Sequence, residues 1–373
     1  MSLPTNFFIG RGGGVDLMKD YPGESGRLFA ATQNSSYELS VDNFTTASPL
    51  QGNDRGAYGN FPAAMMDTIY DSSGNGWIVV AKSNSLWASR IDTLGSWVES
   101  SIGHGTRAFG TSRNGYLLVS NDSSPEVRSY TIDTNGNFSG VGYYSDSSVT
   151  NCQTFISPPN FSSSTLTDKS NLSDYTGSSC HVVFAGANYI KRILVAANGA
   201  LSASVERYQG AQSQLAYYPN GYILAVPENG PVRLLNENLS QINTGSQLNA
   251  AGSVTMGGDG RVYVGANNYQ LYQFYPVSNA SYLNVQYNFT SDTATAPDYS
   301  TRVMAMGDYV YYSGYMSSSS WNYVKRHPLG TPLAYANLEQ SPNHSSYYTE
   351  ELTSGRPHWA NQDESFLLGS GWQ

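Results

Sequence analysis

Thr106-Arg107-Ala108-Phe109-Gly110-Thr111, Ser112-Arg113-Asn114-Gly115 and Tyr116-Leu117-Leu118-Val119 stand in direct succession. Two β-prone runs joined by an Asn-Gly turn read as a hairpin. Val127 to Ile132 then alternates apolar and polar residues, and Thr134-Asn135-Gly136-Asn137 turns the chain into Phe138 to Tyr144. The stretch is therefore one antiparallel sheet of four strands, with Thr106–Thr111 innermost. The same grammar recurs. Second strands open at Gly76-Trp77-Ile78-Val79-Val80-Ala81, Gly115-Tyr116-Leu117-Leu118-Val119, His181-Val182-Val183-Phe184, Gly221-Tyr222-Ile223-Leu224-Ala225-Val226, Gly260-Arg261-Val262-Tyr263-Val264-Gly265 and Asp308-Tyr309-Val310-Tyr311-Tyr312. Spacings of about 40 to 65 residues match the period of a β-propeller blade.

The spacing predicts inner strands at Ala64 to Tyr70, Gln153 to Ile156, Gln214 to Tyr218, Ser253 to Met256 and Arg302 to Met306. With the first quoted stretch these make six whole blades between about residues 62 and 345. The ends supply the rest. Arg27 to Ala31 and Tyr37 to Val41 precede the first whole blade; strands at Trp359-Ala360-Asn361 and Phe366-Leu367-Leu368-Gly369 follow the last. Together they predict a seventh, split blade of two strands from each terminus, which removes exposed sheet edges. The expected fold is an all-β, seven-bladed β-propeller over residues 26–373; eight blades is the alternative, if residues 26–60 form a blade of their own.

Composition agrees. Aromatics make up 13% of the 373 residues, 29 of them Tyr, and charged residues only 13%. Tyr, Thr and Val suit half-buried pleated surfaces, and no amphipathic helix of three turns stands out. The net charge is -9. Phosphate neutralisation needs clustered Lys and Arg. The densest basic spots, Lys191-Arg192 and Lys325-Arg326-His327, fall in or beside strands and read as solvated strand faces. Nucleic acid is not an expected partner. Met1-Ser2-Leu3-Pro4-Thr5-Asn6 lacks the basic start and apolar core of a secretory signal, and no apolar run is long enough to insert in a membrane.

The chemistry-bearing residues are sparse. Gly10-Arg11-Gly12-Gly13-Gly14 has no following Gly-Lys-Ser/Thr, so it does not read as a phosphate loop. No Gly-x-Ser-x-Gly elbow occurs. His104 and His358 lie near the expected channel mouths, and Asp259 and Asp308 sit at inner turns, where an Asp ordinarily bonds its own backbone. No calcium loop and no zinc ligand set appears, so no catalytic residue, metal or cofactor is expected. Cys152 and Cys180 bracket a Ser/Thr/Asn-rich insertion, residues 158–179. A disulfide across it and a pair of free thiols are both open readings; synthesis in the cytosol, expected from an opening that does not read as a secretory signal, favours thiols. Aromatics are the more promising surface: Tyr315, Trp321 and Tyr323 are candidate ligand-binding residues, although blades also bury aromatics between their sheets.

Two resemblances add to this. Tyr130-Thr131-Ile132-Asp133-Thr134-Asn135-Gly136 and its following strand resemble the third-to-fourth-strand hairpin of lactonase-like propellers. That resemblance implies fold only, since propellers host unrelated functions; no catalytic residue carries over. Asn6-Phe7-Phe8-Ile9-Gly10-Arg11-Gly12-Gly13-Gly14 resembles the opening segment of tail and virion structural proteins of tailed bacteriophages. It implies that residues 1–25 are a docking arm, with Phe7, Phe8, Ile9, Gly10, Arg11, Gly12, Gly13 and Gly14 contacting a neighbouring virion protein. The resulting expectation is a non-enzymatic phage tail protein, made in the host cytoplasm and present in several copies. It would act in assembly or in attachment to a host glycan or receptor. A carbohydrate-binding propeller and a lactonase-like hydrolase are the alternatives.

Overall fold

A computed structural model describes residues 27–32, 36–40, 47–49, 65–82, 84–93, 96–149, 152, 154–158, 179–186, 188–209, 213–217, 222–249, 251–257, 259, 261–266, 270–274, 287–290, 299–315, 324–331, 339–340, 349–355 and 357–358. The chain opens with β1 (Arg27–Thr32), β2 (Ser36–Ser40) and β3 (Ala47–Pro49). Six groups of four strands follow. They are β4–β7 (Met65–Tyr70, Gly76–Lys82, Ser85–Arg90, Val98–Ser101) and β8–β11 (Thr106–Thr111, Leu117–Asn121, Glu126–Ile132, Phe138–Ser145). Next come β12–β15 (Thr154–Ile156, Cys180–Ala185, Tyr189–Val195, Leu201–Gln209) and β16–β19 (Ser213–Tyr217, Ile223–Pro227, Asn229–Leu235, Gln241–Asn249). The last two are β20–β23 (Ala251–Met256, Val262–Ala266, Gln270–Phe274, Tyr287–Thr290) and β24–β27 (Tyr299–Met306, Tyr309–Tyr315, Val324–Pro328, Glu339–Gln340). A final strand, β28 (Thr349–Ser354), returns to the start of the chain.

Each group is one antiparallel sheet, and β28 pairs with β1 to complete a sheet in the order β28-β1-β2-β3. The innermost strands neighbour one another in a cycle, β4 to β8, β12, β16, β20, β24, β28 and back to β4. This is an all-β propeller. Its joining sheet departs from the expectation: three strands come from the N-terminal side and one from the C-terminal side, not two and two. Thr349-Glu350-Glu351-Leu352-Thr353-Ser354 has a single apolar residue, so it carries little strand signal. Ala47–Pro49 is too short to carry one. The strands expected at 359–361 and 366–369 lie outside the described residues. Residues 26–60 supply three described strands, and the sheet takes its fourth from β28.

Alternation explains how the sheets stack. Successive side chains of a strand point to opposite faces, so each sheet feeds two apolar cores. Ile69, Trp77 and Val79 pack against Leu117, Val119 and Tyr130 of the next sheet. Their neighbours Met66, Ile78 and Val80 pack the other way, against Phe29. Ala108, Leu118 and Val127 meet Cys152, Val182 and Phe184. The series runs on through Val183 with Leu215, Tyr217 with Val262, and Tyr263 with Val310. It closes where Leu28 and Leu352 pack on Met304 and Tyr311.

One five-residue turn recurs. Its first N–H donates to the fifth carbonyl and its fourth N–H to the first carbonyl, as in Ser112–Tyr116, Asp71–Asn75, Asp133–Asn137 and Ala196–Ala200. The fourth residue lies in the left-handed region: Gly115, Gly74, Gly136 and Gly199 have φ of 86, 79, 87 and 81°. In Asn236–Ser240 that place is held by Leu239, at φ 58°. Left-handed backbone costs a non-glycine residue roughly 1–2 kcal/mol. Leu239 offsets this by burial against Ile223 and Leu235. Leu239→Gly therefore relieves strain but leaves a cavity worth about 2–5 kcal/mol. The expected net effect in urea unfolding is destabilisation of about 1–3 kcal/mol; a more stable variant would show that backbone strain outweighs the packing.

Candidate functional site

The inner strands surround a central cavity of about 120 Å³. All seven strands of the inner cycle contribute, among them Asp67, Phe109, Phe155, Gln214, Arg302 and Leu352, and His358 stands beside them. A propeller channel of this kind is a natural ligand position, so the state of its ionisable groups decides what chemistry it offers.

Asp67 is the acid of this wall, and it is 2% exposed. Its Oδ1 accepts from the Thr68 N–H at 2.8 Å and from the His358 N–H at 3.1 Å, and its Oδ2 accepts from the Thr111 N–H at 2.7 Å. Around it, Thr68 Oγ1 donates to the Ser354 carbonyl, Thr111 Oγ1 to the Thr68 carbonyl and Tyr70 Oη to the Gly355 carbonyl. The carboxylate thus clamps β4 to β8 and to the segment after β28. His358 Nε2 lies 3.2 Å from the Met66 carbonyl, which requires that nitrogen to be the donor, and 4.0 Å from Asp67 Oδ1. An acid and an imidazole are near each other, yet both face backbone. General acid–base work would need them to release those partners.

Of the other expected candidates, His104 and Asp259 are likewise held by the fold. His104 is buried away from the cavity lining; its Nδ1 meets the Gly105 carbonyl and its Nε2 the Tyr130 hydroxyl at 3.1 Å. Asp259 accepts from the Arg261 N–H, the Gly330 N–H and Tyr263 Oη. Asp308 is exposed at its turn. Among the described residues no group of three His, Cys, Asp or Glu is placed to hold a metal ion, and no helix is long and apolar enough to cross a membrane.

Cys152 and Cys180 are free, buried thiols. Thr154 pairs with Ala185 and Ile156 with Val183. Extending that register sets Cys152 beyond one end of β12 and Cys180 beyond the other. At ~3.3 Å per residue the two are roughly 20 Å apart, far outside disulfide reach. Cys152 Sγ instead faces the Thr154 carbonyl and Cys180 Sγ the Asn114 side chain. Burial pushes both thiols up in pKa, away from the reactive thiolate.

The two basic spots are not solvated strand faces. Lys191 is buried, with Nζ donating to Asp146 at 2.6 Å and to Tyr144 Oη. Burial disfavours its ammonium, but these partners raise its pKa on balance. Arg326 and His327 are buried as well, and Arg326 donates to Glu339 at 2.7 Å. Burial lowers Lys325 from 10.5 to about 8. Below that pH the folded state holds a poorly solvated ammonium. Between about 8 and 10.5 the unfolded chain binds more protons, so this residue's unfavourable contribution fades as pH rises. Lys325→Met is expected to gain about 2 kcal/mol over wild type at pH 7. The gap should close towards pH 10.5 when unfolding is followed across pH. A gap independent of pH would remove the desolvation account.

Arg113 is a residue that sequence reading placed only as a turn position. It is 2% exposed. Its Nε donates to the Ser157 carbonyl at 2.6 Å and its Nη2 to Tyr217 Oη at 2.9 Å, so one guanidinium ties together three sheets. Tyr217, Tyr263 and Tyr311 are fully buried, which is the packing role open to blade aromatics. The docking arm Phe7–Gly14, Trp321 and Tyr323 lie outside the described residues. Of Tyr315 only the backbone is described, paired with Tyr299 at the end of β25.

No protein-family profile and no curated protein matches the chain. Solved structures do. A protein of unknown function from Desulfotomaculum acetoxidans is 13% identical, with a TM-score of 0.60 over 85% of this chain and 99% of that one. A candidate 6-phosphogluconolactonase from Bacteroides fragilis is 12% identical, with a TM-score of 0.58 over 88% and 97%. The virginiamycin B lyase of Staphylococcus aureus is 12% identical, with a TM-score of 0.50 over 76% and 85%. At these identities the likeness is one of fold, and that fold is the β-propeller.

Proposed function

We propose that this protein is a non-enzymatic structural and binding body, a seven-bladed ring closed by its composite sheet, that serves in a phage tail. The observation that carries the non-enzymatic reading is the commitment of Asp67, His104, Asp259 and Arg113 to hydrogen bonds within and between sheets. The groups a hydrolase would spend on substrate are spent on the ring. The tail reading is supported by the resemblance of Asn6–Gly14 to the heads of virion proteins. Residues 1–25 are the docking arm, the partners are other virion proteins, and the outer face meets a host glycan or receptor. Mass spectrometry of particles purified from the source that encodes the chain is expected to find it at fixed stoichiometry. Deleting residues 1–25 should abolish incorporation while leaving the unfolding transition in place. Absence from particles would remove this reading.

The carbohydrate-binding alternative predicts glycan binding that Trp321→Ala or Tyr315→Ala abolishes. The hydrolase alternative draws on His358 standing beside Asp67 and the cavity. It requires turnover that His358→Ala removes without unfolding the chain.

A further inference from the structure

The polar groups of the central cavity fall into two sets. One set is spent on the ring. Thr111 Oγ1 donates to the Thr68 carbonyl, Ser253 Oγ accepts from the Val303 N–H and Thr255 Oγ1 from the Ala305 N–H. Asp67 already accepts from three backbone N–H groups. The other set is not committed. Thr154 and Gln214 line the cavity and are partly exposed, and among the described residues their side chains have no hydrogen-bond partner. His358, also on the wall, has a side chain 42% exposed and uses Nε2 as donor to the Met66 carbonyl. In the neutral ring Nδ1 is then left as an acceptor.

These three residues share one end of the cavity. Thr154 is the first residue of β12 and Gln214 the second of β16. Met66, which His358 reaches, is the second of β4. Each whole sheet repeats the same strand order around the ring, so the starts of the inner strands lie on one face. Between the polar groups the wall is apolar: Phe109, Phe155, Ile156 and Val254 are partly exposed there. An apolar wall with a few convergent polar groups is the ordinary make-up of a small-molecule site.

We propose that the central cavity binds a small neutral polyol through Thr154, Gln214 and His358. Three observations select this class. The first is charge. The described lining residues include one carboxylate, Asp67, and one guanidinium, Arg302, so an ion of either sign meets a like charge. The second is hydrogen bonding. A hydroxyl both donates and accepts, as do the Thr154 hydroxyl and the Gln214 amide, and it can donate to His358 Nδ1. Water would do the same, but the C–H faces of a polyol also cover Phe155 and Val254. The third is size. The cavity of about 120 Å³ equals the share of roughly four waters, room for a molecule such as glycerol. The site lies apart from the outer face assigned to a host receptor, and its test does not depend on the tail reading.

Saturation-transfer NMR of the full chain, with glycerol as the probe, tests this. Wild type should give a saturable signal. Inositol, a polyol too large for the cavity, should give none. Gln214→Leu combined with Thr154→Val should weaken glycerol binding at least tenfold while the thermal unfolding transition is retained. Should that variant fail to fold, His358→Ala decides: its side chain is partly exposed, and removing the ring should weaken binding as well. A wild type without saturable transfer, wild-type binding in the folded variants, or inositol binding as well as glycerol overturns the proposal.

Discussion

Asp67→Ala is expected to lower the stability of the propeller by about 3–5 kcal/mol, as for other broken buried charge networks. The substitution deletes the acceptor of three backbone N–H groups, on Thr68, Thr111 and His358. The Thr68 and Thr111 donors are left in a site the fold has already closed to solvent, at about 1–3 kcal/mol apiece before relaxation, while the His358 N–H is only part-buried. The loss falls on a junction. The Thr68–Ser354 and Tyr70–Gly355 bonds beside it join residues 286 and 285 positions apart. Asp67→Asn keeps one carbonyl acceptor but aims its amide hydrogens at N–H groups, so it should recover only part of the loss. Urea unfolding followed by tryptophan fluorescence measures both. An Asp67→Ala variant within about 0.5 kcal/mol of wild type, the range of ordinary surface substitutions, would show that the clamp contributes no stability.

Phe29→Ala is expected to cost about 3–5 kcal/mol and Leu28→Ala about 2–5 kcal/mol. Both side chains are fully buried. They are adjacent in sequence, so they point to opposite faces of the composite sheet. Phe29 packs with Met66, Ile78 and Ile91, on the first whole sheet. Leu28 packs with Met304, Tyr311 and Val324, on the last. One dipeptide therefore seals both sides of the junction, and β28 holds it in register through the Leu28–Ser354 and Phe29–Thr353 pairs. Once one side is weakened the ring can open there, and the second truncation then removes less. The double variant should fall short of the sum of the singles by more than the ~0.5 kcal/mol expected of independent sites. Strict additivity would mean that each face holds without the other.

How much of this was written in the chain can be seen residue by residue. Thr106–Thr111 was legible as the inner strand of its sheet because alternation and the Asn114-Gly115 turn are local signals; the structure gives it those same bounds. The inner strands of the later sheets were legible within a few residues for the same reason. The pairing of Thr349–Ser354 with Arg27–Thr32 was not, because its register is set by burial between two sheets rather than by its own composition. The candidate site was less legible still. A carboxylate in Met65-Met66-Asp67-Thr68 reads as an exposed strand position until Thr111 and His358 are brought to it. Lys191 and Arg326 read as solvated until Asp146 and Glu339 supply their counter-charges. The spacing of Cys152 and Cys180 says nothing of which ends of β12 and β13 they occupy. Local signals, periodicity and backbone preferences within a few residues, were enough for the repeat, its turns and the strands of the whole sheets, but not for β3 and β28. Which charges are buried, how the ring is joined and what the cavity wall is made of emerge only on folding, because each depends on contacts between residues far apart in the chain.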